Sequence, residues 1–185
     1  RCYEAVCEDF GARPHVIFMS PQGKPFTEKR AIELSRMEHI LILCGHYEGV
    51  DQRVIDEIVD EEISIGDYVL TGGELGALVV VDAVGRLCEG VLADESCYMD
   101  ESHYNGLLEY PHYTRPPVWH GREVPEVLQN GNHAKIDQWR REKSLENNLR
   151  KRPDLLRTAQ LTDKDKQVLR RLREEQSQTG DDTEE

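Results

Sequence analysis

His39-Ile40-Leu41-Ile42-Leu43-Cys44, running straight into Gly45-His46-Tyr47-Glu48-Gly49, is the stretch on which the fold turns. An unbroken apolar run this short, closed by a glycine-bearing bend, reads as a parallel strand covered on both faces. The pattern recurs on either side. His15–Met19 is an apolar run ended by Ser20-Pro21-Gln22-Gly23, and Glu61–Ile65 reads as a third strand, leading into the bend from Ser64 to Gly73. Helical patterns lie between. Thr27 caps one, with Ile32, Leu34 and Met37 on its apolar face, and Asp51 opens a second with Val54, Ile55, Ile58 and Val59 on one side. Gly72-Gly73 precedes a Val- and Ala-rich helix, Glu74 to Leu87. Strands alternating with helices predict an α/β domain with a mostly parallel sheet over residues 1–90.

The pattern then changes. Residues 91–122 hold few periodic apolar positions and many Tyr, His, Pro and Gly, and read as a long interdomain loop. Past Pro125 the periodicity is helical, with Ile136, Trp139 and Leu145 along one side of 132–149, a break at Pro153 and a last helix over 163–175. A small all-helical domain over 123–176 is expected, followed by a disordered acidic tail, 177–185.

The 185 residues carry a net charge of −13, which excludes a uniformly basic nucleic-acid binder. The charge is uneven: −14 over residues 1–138, +7 over 139–173 and −6 over the remainder. No apolar stretch approaches the ~20 residues of a membrane-spanning helix. Five scattered cysteines form no C-x-x-C pair, and no His spacing suggests a metal site; free thiols in a reducing cytoplasm are expected. The chain opens inside a helical pattern, Arg1-Cys2-Tyr3-Glu4, so a preceding segment is expected to be missing.

Three glycine-bearing bends at the carboxyl ends of neighbouring strands lie where open α/β sheets bind ligands. None is a dinucleotide or P-loop fingerprint. Taken singly, each bend is explained well enough by strand termination; three together point to a pocket whose backbone groups reach a ligand.

The blocks Cys44–Asp51, Ser64–Leu75 and Gly106–Pro116, with Val124-Pro125 and Gly131-Asn132-His133-Ala134, closely resemble the bacterial tRNA (guanine-N(1)-)-methyltransferase family, TrmD. The resemblance covers nearly the whole chain up to the acidic tail; the family's opening strand and glycine-rich loop are unmatched. It departs at Gly76, where family members often carry proline. The resemblance implies a SPOUT-type α/β fold tied into a trefoil knot around 45–49 and 64–73, holding S-adenosylmethionine. The positions it implies for the cofactor are Phe18, Met19, Pro21, Gly45, Tyr47, Glu48, Gly49, Ile65, Gly66, Asp67, Tyr68, Val69, Leu70, Gly72 and Gly73.

Methyl transfer to N1 of guanine requires loss of the N1 proton, which a carboxylate base can take. Charge then builds on O6, where a guanidinium can stabilise it. The resemblance assigns the second role to Arg86 and the first to Asp100 or Glu101, with Ser102 and His103 beside them. It further implies a homodimer whose active sites are shared between subunits, and a helical domain that grips the tRNA anticodon stem-loop next to guanine 37. Candidate RNA contacts are Arg115, Arg140, Arg141, Lys143, Arg150, Lys151 and Arg152, in or near the net-positive segment. Lys164, Lys166, Arg170, Arg171 and Arg173 follow; on that last helix, solvated i,i+4 pairs are the default reading. Two other readings stay open at this point: a SPOUT methyltransferase for another RNA site, and an inactive cofactor- or RNA-binding fragment.

Overall fold

The computed structural model describes residues 1–46, 48–94, 96–99 and 101–181. The chain divides into two compact units, Arg1–Cys97 and Tyr98–Glu185.

In the first unit, α1 (Cys2–Phe10), β1 (His15–Pro25), α2 (Glu28–Leu34), β2 (Ile40–Cys44), α3 (Gln52–Ile58), β3 (Glu61–Ser64) and α4 (Glu74–Gly85) follow one another. The sheet is parallel in the order β2-β1-β3. Helix starts follow capping chemistry: Thr27 Oγ1 accepts the Arg30 N–H at 3.4 Å, and an Asp51 carboxylate oxygen accepts the Arg53 N–H at 2.9 Å. The core is Ile17, Met19, Leu34, Ile63 and Val80, one side chain or more from each layer.

The first strand is longer than its apolar run. Met19 and Lys24 both pair with Ile63, so residues 20–23 bulge from the ladder and the strand resumes to place Pro25 opposite Ser64. A Cβ on Gly23 would lie 2.5 Å from the carbonyl carbon of Glu62, so only glycine permits this return. Two expectations change. β2 is an edge strand among the described residues, with all five of its residues half-buried rather than fully buried. α3 buries none of its residues, and Val54 is 40% exposed.

At the amino ends of the strands, Glu61 takes hydrogen bonds from Arg30 and pairs with His15 Nε2 at 2.7 Å, while Arg13 bonds Asp60 at 2.8 Å. Burial pushes the Glu61 carboxyl up, but Arg30 and then His15 together hold it below the usual carboxylate range. This network ties β1, β3 and α2 together at the end of the sheet where the bends are not.

The second unit contains β4 (Val118–Trp119), β5 (Arg122–Glu123), α6 (His133–Lys151) and α7 (Asp163–Asp181); α5 (Ser96–Met99) spans the division. β4 and β5 form a hairpin absent from the sequence reading, turned by His120 at φ 50° and Gly121 at φ 75°, as a type I′ turn demands. Residues 98–122 group with the helices because Leu107 is buried with Leu145 and Leu169. Full burial of a leucine such as Leu145 is worth about 2 kcal/mol. Trp139 is half-buried against Tyr113 and leaves the core positions of α6 to Ile136, Ser144, Leu145 and Asn148.

α7 begins with a reciprocal cap. The Thr162 N–H donates to Asp165 Oδ2 at 2.8 Å, and the Asp165 N–H donates to Thr162 Oγ1 at 3.2 Å. The helix runs on to Asp181, beyond residue 177 where disorder is expected, through the helix-favouring Glu174, Glu175 and Gln176. Residues 182–185 lie outside the described residues.

Candidate functional site

The three bends converge on one cavity of about 400 Å³ at the carboxyl end of the sheet. β1 and its bulge contribute Phe18, Met19, Ser20, Pro21 and Gln22; the bend after β2 contributes Gly45, His46, Glu48 and Gly49. The stretch from β3 to α4 supplies Ile65, Gly66, Tyr68, Val69, Leu70, Thr71, Gly72 and Gly73. Of the expected cofactor positions, Asp67 is not in the wall, and Tyr47 lies outside the described residues. Val50, Gln52, Ile55 and Glu62 also line it; they stand one turn or one strand step beyond the bends, where glycine spacing gives no signal.

Close packing shapes this cavity. A Cβ on Gly73 would lie 2.9 Å from Cys44 Cα, so α4 begins hard against the end of β2. Gly76, where the resemblance departs from proline, is buried in α4 with its Cβ direction 3.0 Å from Met19 Cε. Beside the cavity, His46 Nε2 is hydrogen-bonded to Glu74 Oε1 at the start of α4. The Glu74 carboxyl is held below its usual range by its own backbone N–H and then by His46. Burial, then the Glu74 charge, pushes the Cys44 thiol up, so it stays protonated and unreactive at neutral pH.

Arg86 is the half-buried C-cap of α4, its N–H donating to Asp82 O at 3.1 Å, and it is not in the cavity wall. Asp100 lies outside the described residues. Glu101 follows α5 with its N–H donated to Tyr98 O at 3.2 Å. The loop after it is closed on itself: the Ser102 hydroxyl accepts the Glu109 N–H at 3.1 Å, and the His103 N–H donates to Leu107 O at 2.7 Å. His103 holds φ at 77°, a conformation costly for a non-glycine residue. Asn148, fully buried, accepts the Leu108 N–H at 3.1 Å and so fixes the loop to α6.

The candidate RNA-contact residues fall into two groups. Arg141 makes a bidentate pair with buried Asp165 at 2.9 Å, Lys143 pairs with Glu146 at 2.6 Å, and Arg152 pairs with Asp154. Arg140 lies 4.8 Å from the Tyr110 ring centroid and 3.7 Å from Asp137. Arg115, Arg150 and Lys151 are exposed, and neither Arg150 nor Lys151 has an ion-pair partner among the described residues. No cluster able to hold a metal ion occurs among the described residues. No described helix is long and apolar enough to cross a membrane.

Residues 1–158 match the family model described as tRNA (Guanine-1)-methyltransferase TrmD. The chain belongs to this family. A tRNA (guanine-N(1)-)-methyltransferase from Ruminiclostridium cellulolyticum is 60% identical over 153 residues, 83% of this chain and 66% of the relative. One from Alkaliphilus oremlandii is 54% identical over 177 residues, 93% of this chain and 71% of the relative. The chain thus spans about two thirds of the length of the curated relatives it matches. Most of the residues that line the cavity fall in the segments around 44–51 and 64–75 and in β1 with its bulge, all inside the matched range.

Proposed function

We propose that this chain provides the donor site and catalytic groups of a tRNA methyltransferase that moves a methyl group from S-adenosylmethionine to N1 of guanine 37, beside the anticodon. The observation that carries this reading is the single cavity made by three bends, in a chain whose family is named for that reaction. Its volume suits a nucleoside-sized ligand, and its wall mixes Phe18, Val69 and Leu70 with Ser20, Gln22, Glu48 and Gln52. Bound there, the donor supplies an electrophilic methyl on sulfur.

The protein's own part is proton and charge management. A carboxylate of Asp100 or Glu101 takes the N1 proton, freeing the nitrogen lone pair to bond the methyl carbon while the departing electron pair stays on sulfur. Arg86 offsets the negative charge that builds on O6. Arg150, Lys151 and Arg115, exposed in the structure, meet phosphate. The chain backbone through 45–49 and 64–73 forms the SPOUT trefoil knot, and the protein works in the cytoplasm.

Two copies form the working unit, a second copy completing each site. Support comes from exposed apolar side chains of the first unit: Val69 is 81%, Leu75 61%, Leu78 63% and Val81 54% exposed, the last three on α4, and large apolar side chains left in water on one helix suit a protein contact. The test is methyl incorporation from labelled donor into tRNA transcripts with guanine or another base at position 37. Asp100→Asn, Glu101→Gln and the double variant are assayed beside the parent. Labelling only of the guanine transcript, abolished by one single variant, is expected. Equal labelling of both transcripts refutes the reading.

A further inference from the structure

The β4–β5 hairpin has two residues in each strand and one further ladder bond, from the Val124 N–H to Pro117 O at 2.9 Å. A ribbon that short gains stability by laying its large side chains on a neighbour. Trp119 does the opposite: its side chain is 61% exposed. The indole meets one ring among the described residues, His120 of the turn, at 4.4 Å between centroids and 88° between planes, so no ring lies parallel on it. Cross-strand partners share a face of a β-ribbon, and the register pairs Trp119 with Arg122 and Val118 with Glu123. Arg122 therefore stands beside the indole, while Glu123 is on the opposite face. Arg122 is exposed and has no ion-pair partner among the described residues.

A flat aromatic face next to an unneutralised guanidinium is the chemistry that takes up an unstacked nucleobase: the base covers the indole and the cation meets the adjoining phosphate. The surroundings suit a polyanion. Residues 112–122 contain no Asp or Glu, in a chain whose residues 1–138 carry −14. Arg115, exposed and equally without an ion-pair partner among the described residues, lies at most about 14 Å from Trp119 along the chain. The apolar area on this face of the ribbon is one indole wide, far below the several hundred Å² that a protein partner would need. We propose that the hairpin tip is a stacking platform for one unpaired base of the tRNA anticodon loop, in addition to the guanine held for methylation, with Trp119 on the base and Arg122 and Arg115 on the flanking phosphates. The inference rests on the reading of the substrate as tRNA.

The experiment is equilibrium binding of the full chain to an anticodon stem-loop RNA and to a fully paired RNA duplex of equal length, for the parent, Trp119→Ala, Trp119→Phe and Arg122→Gln. Indole emission is recorded in the same titrations. Because the Trp119 side chain is mostly in water, Trp119→Ala is expected to melt with the parent. It is expected to bind the stem-loop about tenfold more weakly, and Trp119→Phe within about twofold of the parent, with duplex affinity the same in all three. Arg122→Gln lowers the slope of log affinity against log salt by about 1. The stem-loop quenches indole emission in the parent, and that quench is lost in Trp119→Phe although binding persists. Equal stem-loop affinity of the parent and Trp119→Ala, or equal weakening of Trp119→Ala toward the duplex, overturns the platform while leaving the tRNA reading standing. A lower sedimentation coefficient for RNA-free Trp119→Ala also overturns it, because the indole then serves a contact between copies of this chain. Failure of the parent to bind the stem-loop overturns the tRNA reading and the platform with it.

Discussion

Replacing Asp165 with asparagine removes one charge from the junction of α6 and α7, and the structure sets the size of the loss. Arg141 first, then the Thr162 N–H and hydroxyl, pull the Asp165 carboxyl from 3.8 to about 2 against the opposing effect of burial. A shift of that size stabilises the folded state by about 2 kcal/mol at neutral pH. Because the folded-state value is depressed, this stabilisation is complete above pH ~4 and is lost as pH falls through about 2. The chain's two tryptophans, Trp119 and Trp139, both lie in Tyr98–Glu185, so tryptophan fluorescence reports on that unit selectively. Asp165→Asn is expected to lower the fluorescence-detected Tm at pH 7 by about 10 °C, a gap that shrinks to about half by pH 3. Arg141→Ala should cost more, about 3 kcal/mol or above, because it strands a buried carboxylate instead of removing it. An Asp165→Asn gap under 2 °C at pH 7, or one unchanged at pH 3, refutes this account of the junction.

Asn148→Ala removes the side chain that accepts the Leu108 N–H and donates to Ser144 O at 2.8 Å, and is expected to cost about 2 kcal/mol. Hydrogen exchange should then speed up over 102–109 before it does in α6. Gly73→Ala drives a methyl into Cys44 backbone and should weaken S-adenosylmethionine binding more than about tenfold by calorimetry, with far-UV circular dichroism unchanged. Arg150→Gln with Lys151→Gln should weaken tRNA binding and reduce the slope of log affinity against log salt by about 2, leaving donor affinity unaltered.

Local chemistry was enough for much of this protein. The apolar runs at His15–Met19 and Ile40–Cys44 declare strands, Glu61–Ser64 reads as a third between two helical patterns, and Thr27, Asp51 and Asn132 declare helix starts, because a side-chain oxygen near free N–H groups acts within three residues. Glycines at three strand ends also located the cavity, since strand direction fixes which ends lie together in a parallel sheet. Long-range contacts decided the rest. That Arg141 is held by Asp165 rather than left exposed depends on α7 returning alongside α6, a separation of 24 residues. Leu107 and Asn148 drew the supposed linker into the helical unit through contacts 38 to 40 residues apart. The return of β1 onto β3 after its bulge, the edge position of β2 and the meeting of His46 with Glu74 follow the same rule. Each is a choice among partners equally acceptable to the local sequence, and only the closed chain, with its geometry and its excluded volume, selects one.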